Sequence, residues 1–241
     1  MSLNTVFMGN PGTGKTTVAR IVGKIYREEG ILPKGQLIEV SRADLVGKYV
    51  GHTAPLVKDA FKRAKGGILY IDEAYSLDSS DSFGNEAIEM LVKLMEDNRE
   101  DTMVIVAGYP SLMREFLDSN PGLRSRFPYV LSFPDYSSDE LVKIFMYYCD
   151  EYEISVSVPV LKKVDEYFMR ETGTHSNHFG NARTVRNFFE EMLIKQANRL
   201  VKSGKLDRKG IKSFTLQDVP RKELVKSVSL PKAKISDFSN R

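Results

Sequence analysis

The feature that most restricts the fold of this chain is the pattern G-x-x-x-x-G-K-[ST], which residues 9–16 match as Gly-Asn-Pro-Gly-Thr-Gly-Lys-Thr. Glycines in such a loop let backbone N–H groups approach phosphate oxygens along a path where a Cβ would collide. Lys15 supplies a positive charge between the β and γ phosphates, and the Thr16 hydroxyl is a ligand for Mg²⁺. The residues predicted to bind a nucleoside triphosphate are Asn10, Pro11, Gly12, Thr13, Gly14, Lys15, Thr16 and Thr17.

The flanking sequence places this loop between a strand and a helix. Residues 5–8 read as a short buried strand. After the loop, apolar residues recur at helical spacing, namely Val18, Ala19, Ile21, Val22, Ile25 and Tyr26. This order aims a helix N-terminus at the phosphates, whereas a glycine-rich turn beside a surface lysine is the alternative interpretation.

Strands and helices continue to alternate along the first part of the chain. Strands are predicted at 36–40, 68–71, 103–107 and 130–133, and Thr53 is a candidate N-cap for a helix between the first two. The pattern predicts a doubly wound α/β nucleotide domain over residues 1–134. Helices are then predicted at 138–151, 159–170 and 182–201, which form a small helical lid domain over 135–219, and residues 220–241 read as a polar, basic tail.

Composition narrows the class of protein. The 35 basic and 32 acidic residues leave a net charge of +3, which is too small to argue for nucleic acid or an anionic membrane. No apolar run reaches membrane-spanning length. The one cysteine, Cys149, shares a helical face with apolar residues, so we expect a buried thiol in a protein of the reducing cytoplasm.

Asp72 and Glu73 follow the continuous apolar run Ile68–Ile71, at the end of a strand that we expect to be covered on both faces. The Asp72 carboxylate is placed to hold Mg²⁺, and Glu73 to polarise a water for in-line attack on the γ-phosphate. The alternative is that the two acids only cap the next helix.

Several segments together resemble the AAA+ ATPases, and more closely the CbxX/CfqX family. The segments that carry the resemblance are residues 9–17, 44–55, 71–75, 107–109, 119–123, 133–136 and 181–183. The likeness extends over residues 3–219 and implies a P-loop NTPase fold with a helical lid, binding of ATP and Mg²⁺, and ATP hydrolysis.

The resemblance also assigns arginines. Arg126, with Arg124 second, matches the stretch from which an AAA+ subunit inserts an arginine finger into a neighbour's site, so it implies a homo-oligomer, most often a hexameric ring. A solvated surface pair is the alternative. Arg183 matches the sensor-2 arginine at the start of a lid helix, with Arg186 one turn later as the other candidate.

Two aromatic residues receive roles from the same resemblance. Where many AAA+ proteins end the sensor-1 strand with Asn, this chain reads Ala-Gly-Tyr at 107–109, and Tyr109 is the candidate for positioning a water. Tyr49, between Gly47 and Gly51, resembles a pore-loop residue that grips a client polypeptide through ring area and stacking. The alternative is that Tyr49 packs on its own domain.

The function predicted from the sequence is an ATP-hydrolysing remodeller that threads part of a protein client through a pore. The second hypothesis is a nucleotide-dependent assembly switch without mechanical work, and a nucleic-acid motor is disfavoured. Because the chain enters the phosphate-site strand within a few residues of Met1, we expect further residues upstream in the parent protein to hold the base. No residue identifies the client, and His175 and His178 lack partners at metal-ligand spacing.

Overall fold

The computed structural model describes residues 2–78, 82–173, 179–204 and 208–220. Its strands are β1 (Thr5–Gly9), β2 (Leu37–Val40), β3 (Ile68–Ile71), β4 (Met103–Gly108), β5 (Tyr129–Phe133), β6 (Ser155–Val156) and β7 (Ser213–Phe214). Its helices are α1 (Lys15–Glu28), α2 (Arg42–Leu45), α3 (Thr53–Ala64), α4 (Ser82–Asp97), α5 (Pro110–Ser119), α6 (Pro121–Arg126), α7 (Ser138–Glu151), α8 (Val158–Gly173), α9 (Ala182–Ser203) and α10 (Arg208–Ile211), and Ala74–Leu77 forms a 3₁₀ helix.

The first five strands form one parallel sheet in the order β2-β3-β4-β1-β5. Val6 of β1 lies between Val106 of β4 and Val130 of β5, so the phosphate loop leaves the sheet beside both of these strands. Every residue of β3 and β4 is buried, as expected for parallel strands covered on both faces. The doubly wound α/β fold predicted from the sequence is confirmed.

Helices cover the two faces of this sheet unequally. One face carries α2 to α6, whose apolar side chains, among them Val57, Leu91 and Phe116, form the larger core. On the other face α1 packs through Ala19 on a second layer that includes Tyr70. The side chains of β3 alternate between these two layers, and Tyr70 therefore points toward α1.

The lid domain begins after β5. Ser137 starts α7 with a capping box, in which its hydroxyl accepts from the Glu140 N–H and the Glu140 carboxylate accepts from the Ser137 N–H. Phe145 of α7 packs on Phe188 of α9, and the Cys149 thiol is fully buried in the same core. Burial raises the pKa of Cys149 to about 12.

The lid differs from the nearly all-helical domain expected from sequence in one respect. Strands β6 and β7 pair in parallel across the base of the lid. Each strand has two residues, which is too short for an alternating pattern to be visible in the sequence.

Some predicted segments lie partly or wholly outside the described residues. Residues 79–81, which precede α4, are not described. His175, His178 and residues 221–241 of the tail are also not described. Among the described helices, none combines the length and apolar character needed to cross a membrane.

Candidate nucleotide-binding site

The phosphate loop has the backbone conformation that its glycines permit. Gly12 and Gly14 have φ angles of 74° and 90°, in the left-handed region. A Cβ on Gly12 would lie 2.0 Å from the carbonyl oxygen of Gly180 in the lid, so the loop and lid approach as closely as backbones can. Gly14 occupies the N-cap of α1 without a side-chain cap, and the first residues of α1 line the cleft, where a helix N-terminus favours an anion.

Lys15 lies at the centre of this loop. Its Nζ donates to the carbonyl oxygens of Gly9 and Asn10, each at 2.8 Å. Burial lowers the pKa of Lys15, and Arg183 acts in the same direction, whereas the Asp72 and Glu73 carboxylates oppose the shift. Lys15, Arg20, Arg183 and Arg186 all line the cleft, against the two carboxylates of Glu39 and Asp72, so its net charge is positive and favours an anion.

The cleft brings together residues from five separate parts of the sequence. It has a volume of about 450 Å³. The residues that line it are Gly12, Gly14, Lys15, Thr16, Thr17, Arg20, Glu39, Tyr70, Asp72, Tyr148, Ala182, Arg183 and Arg186. Phosphate-loop residues, one strand-end acid and two lid arginines, all predicted for a common site, thus share one cavity.

The two acids after β3 take different positions. The Asp72 N–H donates to the Val40 carbonyl, which fixes the strand end, and the Asp72 side chain lines the cleft. Glu73 is exposed, with a φ of 49°, and its N–H donates to Asp72 Oδ1 at 3.1 Å. Glu73 occupies the N-cap of the 3₁₀ helix but makes no side-chain cap bond, which argues against the helix-capping alternative.

Oxygen donors on this wall suit a hard cation. The Thr16 hydroxyl and the Asp72 carboxylate line the same cleft, and both are ligand types that Mg²⁺ accepts.

Tyr75 adjoins Glu73. Burial raises the pKa of Tyr75 to about 12, and the negative charge of Glu73 is the second largest contribution to this shift. The Tyr75 phenol therefore stays protonated and can donate to the carboxylate.

A hydrogen-bonded cluster ties the phosphate loop to the lid. Asp135 accepts from the Asn10 amide at 2.9 Å and from the Asn181 amide at 2.8 Å. The Asn181 amide also donates to the Pro11 carbonyl at 3.2 Å, and its Oδ1 accepts from the Tyr136 N–H at 2.9 Å. Asn181 is fully buried and precedes α9, so these bonds place the first turn of α9, with Arg183, against the loop.

Further bonds reinforce this contact. The Tyr136 hydroxyl donates to the Thr13 carbonyl at 3.2 Å, and the Ala182 N–H donates to the Gly12 carbonyl at 3.1 Å. Asp135, Tyr136 and Asn181 lie in segments that carry the family resemblance or adjoin it, but no sequence motif assigned a role to any of the three. Polar side chains next to the predicted domain boundary at residues 134 and 135 were the available signal.

The two lid arginines have different partners. Arg186 pairs with Glu190 one turn later at 2.9 Å. Arg183 has no ion pair with any residue that the structure describes, and its charge acts directly on Lys15. The geometry thus favours Arg183 over Arg186 as the lid arginine available to an anion.

Tyr109 lies at the end of β4, where it is the N-cap residue of α5. Its ring centroid is 6.2 Å from that of Tyr75, the residue beside Glu73. Tyr109 is not among the residues that line the phosphate-loop cleft. It is therefore close to the strand-end acids rather than to the loop itself.

The arginines predicted as fingers lie near the N-terminal ends of the strands, opposite the phosphate loop. Arg126 lines a second cleft with Ser2 and Asn4, before the start of β1, whereas the phosphate loop follows the end of β1. Its side chain is 27% exposed, it donates to the Gly122 carbonyl at 3.3 Å, and its Nη2 lies 3.9 Å from Glu96. Arg124 is more exposed and pairs with Asp118.

The loop that contains Tyr49 projects from the domain. Tyr49 is 68% exposed and touches the His52 ring edge-on at 5.5 Å. We expected Thr53 to cap α3, but it is the first residue of that helix, and its hydroxyl instead accepts from the Gly47 N–H at 3.1 Å. This buried bond closes the base of the loop and leaves residues 48–51 outside.

Comparisons with known proteins agree with this geometry. The model of the ATPase family associated with various cellular activities (AAA) matches residues 5–135, and that of an AAA lid domain matches residues 137–228. The crystal structure of the FIGL-1 AAA domain superposes with a TM-score of 0.63 at 19% identity, covering 89% of this chain and 68% of that one, which shows a shared fold.

Sequence relatives are much closer. Stage V sporulation protein K of Bacillus subtilis is 46% identical over 225 residues, which are 92% of this chain and 70% of that protein. Protein CbbX of Cereibacter sphaeroides is 43% identical over 90% of this chain and 72% of its own. The chloroplastic ribulose bisphosphate carboxylase/oxygenase activase of Cyanidioschyzon merolae is 42% identical over 93% of this chain and 76% of its own. By these matches the chain belongs to the AAA ATPases, in the group that contains stage V sporulation protein K and the CbbX and CfxQ proteins.

Proposed function

We propose that this chain hydrolyses Mg-ATP and uses the energy to remodel a protein client. The observation that carries the ATPase proposal is the single cleft in which Lys15, Thr16, Asp72 and Arg183 meet. Lys15 and the N-terminus of α1 bind the β and γ phosphates, and Thr16 and Asp72 hold Mg²⁺. The bound ion would neutralise charge on the β and γ phosphate oxygens.

Hydrolysis requires a water in line with the γ-phosphate. Glu73, exposed beside Asp72, is the group that polarises this water, and its left-handed backbone turns it away from the strand. When phosphate binds, the Lys15 ammonium exchanges its bonds to the Gly9 and Asn10 carbonyls for phosphate oxygens. Arg183 then reports occupancy of the cleft to α9, with which the Asn181 cluster already connects the loop.

We further propose that Arg126 acts on the site of a neighbouring subunit. It cannot serve its own phosphate loop, because the two lie at opposite ends of β1. Its Nε is buried without a hydrogen-bond partner among the described residues, and Arg124 is held by Asp118. A finger from each subunit to the next requires a closed head-to-tail ring, for which the family resemblance implies six subunits.

Tyr49 is the proposed contact with the client. Its exposed ring, on a loop closed by the Gly47–Thr53 bond, supports a gripping role and argues against packing on its own domain. Lys48 and His52 flank it and make the loop mildly basic. One relative is named for activating ribulose bisphosphate carboxylase/oxygenase, but no residue of this chain identifies its own client.

The test is ATP turnover of the full-length protein and of Tyr49→Ala, each titrated with an unfolded polypeptide and separately with single-stranded DNA. Tyr147→Ala is the matched control, because Tyr147 is similarly exposed, at 65%, but lies on the lid helix α7. Polypeptide should stimulate the parent and Tyr147→Ala but not Tyr49→Ala. If polypeptide still stimulates both variants, Tyr49 has no role in threading.

Two other outcomes lead to different functions. If polypeptide has no effect and oligomer size follows the bound nucleotide, the nucleotide-dependent assembly switch replaces the remodeller. Stimulation by DNA alone would contradict both proposals.

A further inference from the structure

We propose that Tyr70 is a positioning residue that orients the Thr16 hydroxyl toward the Mg²⁺ of bound nucleotide. This inference rests on the proposed Mg-ATP function and extends the metal site to a residue that the phosphate-loop pattern and the strand-end acids do not include.

The geometry places one phenol on the phosphate loop. Tyr70 lies in β3 two residues before Asp72, so its side chain leaves the strand on the same side as that of Asp72. The residue is 0% exposed, and its ring packs in the layer beneath α1 with Ala19 and Ile68. Its hydroxyl accepts a hydrogen bond from Thr16 Oγ1 at 3.3 Å, at the wall of the cleft.

This bond determines what Thr16 can offer to a cation. A threonine hydroxyl has one proton and two lone pairs, and a metal ligand must direct a lone pair at the ion. By accepting the proton, the Tyr70 oxygen fixes the Thr16 rotor with its lone pairs toward the cleft, where Asp72 also lies. Groups that orient a ligand in this way commonly change metal affinity by about 10- to 100-fold when they are removed.

A purely structural role makes a different prediction. A buried phenol needs a hydrogen-bond partner, and Thr16 could merely satisfy that need. In that case, removal of the phenolic oxygen would change folding stability without a specific effect of Mg²⁺. Tyr70→Phe separates the two roles, because it keeps the buried ring and deletes only the oxygen that accepts from Thr16.

The experiment measures binding of a fluorescent ATP analogue to the whole chain as Mg²⁺ is varied, with a parallel titration in EDTA. Tyr70→Phe should raise the Mg²⁺ concentration for half-maximal binding about tenfold or more. Its affinity for the analogue in EDTA should stay within about twofold of that of the parent protein, because the substitution weakens only the binding of Mg²⁺. Tyr167→Phe is the matched control, because it removes a half-buried phenol from the lid core, and it should leave both quantities unchanged.

A double-mutant comparison protects the test against indirect effects. In a Thr16→Ala background the hydroxyl that Tyr70 orients is absent, so adding Tyr70→Phe should not move the Mg²⁺ midpoint further. An additive shift in that background would overturn the inference, as would an unchanged midpoint in Tyr70→Phe alone or an equal loss of affinity in EDTA. If the parent protein itself shows no Mg²⁺-dependent binding, the proposed metal site fails instead.

Discussion

Asn181→Ala tests whether the hydrogen-bonded cluster holds the lid against the phosphate loop. The Asn181 side chain makes three hydrogen bonds, to the Pro11 carbonyl, the Asp135 carboxylate and the Tyr136 N–H, and the residue is 0% exposed. At about 1 kcal/mol for each bond, alanine should lower the free energy of unfolding by about 3 kcal/mol. For a chain of this length that loss corresponds to a fall in melting temperature of about 6–12 °C.

Glycine at the same position separates the side-chain bonds from backbone strain. Asn181 has φ 50° and ψ −126°, a conformation that side chains disfavour, and the Arg183 N–H closes the turn on the Gly180 carbonyl at 2.9 Å. Asn181→Gly loses the same three bonds but relieves about 1–3 kcal/mol of strain, partly offset by about 0.5–1 kcal/mol of extra unfolded-state entropy. It should therefore be about 1 kcal/mol more stable than Asn181→Ala.

The assay is urea unfolding followed by circular dichroism, with the denaturant slope checked for each variant so that midpoints can be compared. Asn181→Asp is a further control, because it keeps the acceptor for the Tyr136 N–H but sets a second carboxylate against Asp135. A loss below about 1 kcal/mol in Asn181→Ala would show that the cluster does not hold the lid on the loop. A glycine variant less stable than the alanine variant would refute the strain argument.

Three further predictions concern chemistry. Glu73→Gln should keep ATP binding and lower turnover about 10²- to 10⁴-fold, measured by phosphate release, and unchanged turnover would exclude Glu73 as the base. Arg126→Ala should lower turnover about 10³-fold or more, and Arg124→Ala by less than about tenfold. Mixing Arg126→Ala with Glu73→Gln should restore part of the activity, because a site that keeps Glu73 can receive the arginine of a Glu73→Gln neighbour. No recovery on mixing would place the arginine's role within its own subunit. Because the folded pKa of Cys149 is raised from 9.0 to about 12, the native thiol should not react with a disulfide reagent at pH 8.5. The unfolded thiol loses its proton first, so Cys149 should lower folding stability as pH rises from about 9 to about 12, and Cys149→Ala should flatten that fall; a native thiol that reacts rapidly would contradict its burial.

Periodicity and motif order predicted the fold well where segments were long. The strand before the phosphate loop and the bounds of α7 were predicted correctly, because apolar residues follow the spacing of each element. Strands β6 and β7 were missed because two residues carry no period. Thr53 was assigned the wrong role because a hydroxyl at a helix start can equally accept from a loop N–H, here that of Gly47.

The candidate site likewise contains residues that local sequence patterns predict and residues that they do not. Local spacing predicted a common site for Lys15, Thr16 and Asp72, and a family resemblance added Arg183; the four residues line one cleft. Asp135 and Tyr70 were not found, because each acts through a contact that is remote in sequence: Asp135 with Asn10, and Tyr70 with Thr16. Local spacing does not show which polar side chains converge across 50 or more intervening residues.

The left-handed backbone at Glu73 has a consequence for how this position changes over evolutionary time. A residue with a Cβ at φ 49° carries a conformational cost of about 1 kcal/mol that glycine would not. Glycine would avoid this cost but would lose about 0.5–1 kcal/mol through its greater unfolded-state entropy, so selection for stability alone would favour neither residue strongly. Glutamate at this position therefore accepts a conformational free-energy cost and keeps one carboxylate exposed to solvent beside the phosphate loop.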